Sequence, residues 1–139
     1  MRVLRSERGQ ALVELAVVLP VLFLILLGIT EFGLAMNDQI VVAAAAREGA
    51  RYAAIAWEDE GWGCYSGVRD KVSRTLDAGG LSTAVPYGVV LEDLGDYVRV
   101  TVTYPHPVIV RHLGQPDFDL GPKIDLVSGS VFRKELSGP

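Results

Sequence analysis

Residues 10–54 read QALVELAVVLPVLFLILLGITEFGLAMNDQIVVAAAAREGARYAA, and this stretch decides the fold. From Ala11 to Ile29 it is nearly all apolar, long enough for a helix to cross a hydrocarbon core of about 30 Å. One carboxylate, Glu14, interrupts the run near its start. Pro20 removes a backbone donor and is expected to kink or locally open the helix, as membrane helices tolerate. The helical pattern then continues through Ile40, Val41 and an alanine run to Tyr52. A helix of about 45 residues would reach roughly 70 Å at ~1.5 Å per residue. No small domain buries that much helix, so it must lie partly in lipid or against other subunits.

Upstream stands MRVLRSERG, with three arginines against one glutamate. That bias places the N-terminus in the cytoplasm and sends the chain downstream of the apolar run across the membrane. A cleaved secretory signal is the competing reading. Against it, the apolar run is longer than a typical signal core, and the alanine-rich helix continues out of it without a turn. An acid this close to lipid is expensive and usually has a partner. Glu14 is either a headgroup-level carboxylate or a docking group. If the chain is cut after Gly9, the new amine lies on Gln10 and Glu14 becomes the fifth residue. Its carboxylate can then pair with the α-amino group of a neighbouring subunit, neutralising both charges. Gly28 and Gly33 offer close approach to another helix, although not at the four-residue repeat. Gly49 costs about 1 kcal/mol relative to alanine in a helix, which points to a neighbour packed closely there.

The 139 residues leave room for one modest domain beyond the apolar helix. The net charge is −4, and loss of residues 1–9 removes three arginines and one glutamate, taking it to −6. That argues against a nucleic-acid partner. The single cysteine, Cys64, cannot form an internal disulfide. It reads as a small residue in a Gly-rich loop, with an intermolecular bridge as the alternative.

In the second half of the long helix, Ile40, Ala43, Ala44, Arg47, Ala50, Arg51 and Ala54 follow three-four spacing. They predict a small-residue face that packs on a sheet or another helix. Glu58 to Gly67 is expected to end the helix as a solvated loop. Its acids lack the spacing of a calcium loop. Ser66 reads as the N-cap of a short amphipathic helix carrying Val68, Val72 and Leu76 on one face, stopped by Gly79-Gly80. Two strands, Tyr87–Leu94 and Tyr97–Tyr104, flank a tight Gly95-Asp96 turn. Val98, Val100 and Val102 alternate with Arg99, Thr101 and Thr103, giving one buried and one wet face. Pro105 and Pro107 are expected to end the second strand, residues 108–119 to form an apolar loop or turn, and Ile124–Arg133 a last strand with a candidate bulge near Gly129.

No catalytic constellation is readable. His106 and His112 lie six apart on a Pro-flanked segment without a further ligand at metal spacing, and read as loop histidines. Ser66, Ser128 and Ser130 lack a nucleophile elbow, and Asp117 and Asp119 show no acid/base pairing. Arg47 with Arg51 is a solvated pair rather than a phosphate site. The reading is non-enzyme, with no cofactor and no metal.

The ordered set of elements resembles the TadE-like pseudopilins of tight-adherence (Tad) pilus systems. The matching elements are the basic leader ending in Gly9, Glu14, Leu19-Pro20, Gly28, Glu31-Phe32-Gly33, and Ala46-Arg47-Glu48-Gly49-Ala50-Arg51-Tyr52. The resemblance implies an inner-membrane precursor cut by a prepilin peptidase between Gly9 and Gln10. It implies assembly with other pilins or pseudopilins on a pilus platform as a homo- or hetero-oligomer, with Glu14 docking on a neighbour. Gln10 replaces the phenylalanine of ordinary type IV pilins. Leu15 replaces the tyrosine of the small major pilins, and the chain is longer than those. These departures favour a minor pseudopilin, or a filament subunit (a pilin) of a related and less familiar pilus.

The expected architecture is thus α+β and pilin-like. Residues 1–9 form a leader, 10–57 a long helix that is transmembrane over about 11–29, and 58–139 an outward-facing domain with a short helix and a small antiparallel sheet. The protein would cross the inner membrane once, N-terminus cytoplasmic, and reach an extracellular pilus after assembly. The alternative is a permanently anchored single-span protein with an extracytoplasmic binding domain.

Overall fold

The computed structural model describes residues 7–106 and 124–135. Helix α1 spans Glu7–Glu60, a 3-10 turn spans Gly61–Cys64, and helix α2 spans Tyr65–Ala78. Strands β1 (Gly88–Asp93), β2 (Tyr97–His106) and β3 (Ile124–Arg133) form an antiparallel sheet in the order β1-β2-β3. The fold is α+β and pilin-like. The chain divides into two compact units, Met1–Leu34 and Ala35–Pro139.

The second unit holds the core. Val42, Ala45, Ala46, Ala50, Ala53 and Ala54 of α1 are buried together with Val68, Val72 and Leu76 of α2 and Leu91, Val98, Val100, Val102, Tyr104 and Leu126 of the sheet. The face of α1 turned inward is not the expected one. Ile40, Ala44, Arg47 and Arg51 are exposed, and only Ala50 and Ala54 of that set are fully inside, with Ala43 at the border. An alanine run gives no contrast between faces, so three-four spacing fits several stripes. The arginines, which must keep their charge in water, decide which stripe faces out.

Glycines let α1 and α2 approach. A Cβ on Gly49 would lie 2.9 Å from Val72 Cγ2 and 3.3 Å from Val100 Cγ1. Gly67 gives its space to the Tyr52 ring, and Gly79 to Val41. α2 ends in a Schellman motif. Leu81 N–H donates to Leu76 O (2.9 Å), Gly80 N–H donates to Asp77 O (3.0 Å), and Gly80 has φ +83°. Leu76 and Leu81 are both buried, which supplies the apolar contact of that motif.

Two local expectations change between the helices. α1 runs on to Glu60, three residues past Trp57, and the 3-10 turn feeds α2 in helical conformation with Cys64 at its N-cap, so Ser66 lies inside the helix and caps nothing. Three acids at a helix C-terminus are each unfavourable by roughly 0.3–1 kcal/mol. That is outweighed where the same turns bury Ala53, Ala54 and Cys64. Cys64 is fully buried in the core rather than set in a loop. Burial pushes its thiol up, with Glu60 adding to the effect, so it stays protonated and out of reach of a partner's thiol.

The hairpin forms as expected. Leu94 N–H donates to Tyr97 O at 2.9 Å, and Gly95 has φ +77° while Asp96 does not enter the left-handed region. That is the sign pattern of a type II′ turn. β2 buries Val98, Val100, Val102, Tyr104 and His106 on one face. Contrary to expectation, Pro105 does not stop it, since Pro105 pairs with Asp125 and His106 with Ile124. Backbone parity explains this. The Tyr97 carbonyl points towards β1, so every second residue to Pro105 does too. β1 pairs only as far as Gly88↔Thr103, so the N–H that proline lacks would have met an open edge. β3 pairs without a break through Thr101↔Gly129, so the expected bulge is absent. Gly129 faces Thr101 instead, whose Oγ1 would lie 3.3 Å from an added Cβ. Residues 108–119, with His112, Asp117 and Asp119, fall outside the described residues.

Candidate functional site

In the first unit the described part is helical, and every residue from Gly9 to Thr30 is exposed. An eighteen-residue window there has a mean hydropathy of 2.9 with none of it buried. Fully burying a Val, Leu, Ile or Phe side chain contributes about 1.5–3 kcal/mol. The large apolar side chains from Leu12 to Ile29 therefore represent on the order of tens of kcal/mol, more than the roughly 5–15 kcal/mol that holds a domain folded. A surface of this kind is an interaction surface. The helix is long and apolar enough to cross a membrane.

Each residue singled out from the sequence on this helix has a definite place. Gly9 and Gln10 are exposed within α1, which begins at Glu7. Gln10 Nε2 donates to Glu14 Oε1 at 3.2 Å, one helical turn apart, so amide and carboxylate share a face. Pro20 sits inside α1, which carries through it. Thr30 Oγ1 donates to Leu26 O at 2.8 Å, satisfying a hydroxyl at the end of the apolar run within its own helix. Gly28 and Gly33 have nothing within 4 Å of an added Cβ, whereas Gly49 is tightly enclosed within the second unit.

Two polar clusters of the second unit were not anticipated. His106 is not a loop histidine. It is buried on β2 with Nδ1 2.7 Å from Asp38 Oδ2 of α1. Lys134, just past β3, is buried with Nζ 2.6 Å from Asp93 Oδ1 and 4.1 Å from the centre of the Trp57 ring. The Lys134 ammonium holds the Asp93 carboxyl below the usual carboxylate range, with the Gly95 N–H helping against desolvation. Lys134 N–H donates to Asp96 O (2.9 Å) and Glu135 N–H to Ala54 O (3.1 Å), so the chain after β3 is fastened to hairpin and helix alike. No single-residue periodicity signals these pairs, because their partners lie 68 and 41 residues apart.

Among the described residues no group of three or more His, Cys, Asp or Glu side chains is placed to hold a metal ion. Both clusters tie parts of the second unit together, and the large apolar side chains of α1 from Leu12 to Ile29 stand exposed. Residues 9–51 match the family model described as TadE-like protein. Comparison with curated proteins and with solved structures gives no significant match.

Proposed function

We propose that this chain, TadE-like over residues 9–51, is a structural or assembly subunit of a Tad or type IV-like pilus, a minor pseudopilin. It is made as an inner-membrane precursor with its N-terminus in the cytoplasm, cut by a prepilin peptidase after Gly9, and assembled through α1. Its second unit faces outward. The observation that carries this reading is the wholly exposed apolar half of α1 coinciding with the family match.

In the mature chain the α-amine would sit on Gln10, one turn from Glu14. A Glu14 carboxylate that meets the α-amine of a neighbour sets the axial register between subunits, since two charges in lipid tolerate no misplacement. Gly28 and Gly33, open in the single chain, are where another helix can come close. Lipid, the peptidase, other pilins and the assembly platform are the partners this implies.

The test is intact mass and N-terminal sequence of the protein recovered from membranes with and without its prepilin peptidase. A chain starting at Gln10 only when the peptidase is present supports the reading. A chain that still starts at Met1 overturns it in favour of a single-span anchored protein.

A further inference from the structure

Strand β3 is symmetric about Gly129. Reading outward from it, Ser128 mirrors Ser130, Val127 mirrors Val131, Leu126 mirrors Phe132, and Asp125 mirrors Arg133 with the opposite charge. Two identical strands that pair antiparallel about Gly129 therefore set like against like throughout, and close the ends with ion pairs. We propose that β3 is a homotypic docking edge, which takes the β3 of a second copy in an isologous, two-fold pair and makes one six-stranded sheet.

The backbone is oriented for it. Among the described residues β3 is an edge strand, and its register pairs Val98 with Phe132 and Val100 with Ser130. Even-numbered residues of β2 point away from β1, so even-numbered residues of β3 point towards β2. The odd-numbered ones, Asp125 to Arg133, present their N–H and C=O groups at the free edge. The mirror pairs 125/133, 127/131 and 129/129 are all odd with odd, so every facing group belongs to that edge and no bulge is needed. On the outer face Val127 is 53% exposed and Val131 46%, and each would cover the other. Among the described residues neither Asp125 nor Arg133 is in an ion pair. A long, unbulged edge carrying valines is pairing-prone unless blunted. Among the described residues the blunting of this edge is slight. Gln39 Nε2 donates to Val127 O at 3.2 Å, which is the acceptor that the partner's Val131 N–H would take.

This pair has a direction. Gln39 lies beside Val127, and Ala54 beside Glu135, so α1 runs the same way as β3 within this unit. Antiparallel β3 strands set the Gln39–Ala54 stretches of the two α1 helices in opposite directions. The contact is independent of the pilus reading.

The experiment uses the full chain in detergent, where orientation is free, with two exposed single-cysteine variants, Val127→Cys and Val131→Cys. The native Cys64 is buried and does not compete. Facing residues in such a pair lie about 5.5 Å apart at Cα, within reach of a disulfide or a short thiol-to-thiol crosslinker. Mixing the two variants should give covalent dimers at several-fold the yield of either alone. Asp125→Arg should lower that yield in both chains, and adding Arg133→Asp should restore it. Equal yields from the mixture and the separate variants would overturn the proposal, as would a charge reversal that the second reversal fails to rescue.

Discussion

Gly49 and Gly28 sit in the same helix and meet opposite surroundings, which makes opposite substitutions informative. At Gly49 an added methyl would press on Val72 and Val100, both β-branched and stiff. Gly49→Ala gains roughly 1 kcal/mol of helix propensity but overpacks a closed core, at about 1–3 kcal/mol. The net effect expected is a lower urea midpoint of the second unit. Gly28→Ala meets nothing in the single chain, so that midpoint should not move, and any effect should appear only in co-purification with other subunits. Lys134 gives the third residue-scale prediction. Lys134→Met removes the ammonium that lowers the Asp93 carboxyl. A carboxyl whose folded pKa lies below its unfolded one stabilises above the ordinary carboxylate range and loses that contribution as pH falls through it. The variant should therefore unfold at lower urea than wild type at pH 7, with the gap narrowing below pH ~4. A gap that stays constant with pH would mean that packing on Trp57, not the ion pair, is what Lys134 contributes.

At the scale of elements, the parts readable in sequence were those with strong local signals. The apolar run, the alternation of Val98, Val100 and Val102, the Gly95-Asp96 turn and the Val68/Val72/Leu76 stripe each carry a period or a special backbone conformation. The inward face of α1 was not readable, because Ala43 to Ala46 look alike from every side. Nor was the continuation of β2 through Pro105, because that depends on where β1 stops, a fact about another strand. The Schellman end of α2 shows how such signals can be weighed. Gly80 is left-handed, where a Cβ costs roughly 1–2 kcal/mol. Gly80→Ala should destabilise by about that much, read in urea unfolding. Gly79→Ala fails for a different reason, collision with Val41, and Val41→Ala should rescue it while leaving Gly80→Ala unrescued.

For the whole molecule, the division at Leu34/Ala35 separates a unit whose described residues form no core from a larger unit that holds the entire described core, from Val42 to Leu126. Glu14, Pro20 and Gly28 contribute nothing to that core. This separation is measurable. Both tryptophans, Trp57 and Trp62, belong to the second unit and stack edge to face with ring centres 5.2 Å apart. Tryptophan fluorescence in detergent therefore follows the unfolding of that unit alone. Glu14→Ala should leave the fluorescence midpoint in urea within error of wild type, leave insertion and cleavage intact, and abolish recovery of the subunit with its pilus partners. A shifted midpoint would show that Glu14 acts through the fold of its own chain. An unshifted midpoint with normal assembly would refute its docking role. Only loss of assembly on an intact fold assigns the carboxylate to a neighbour.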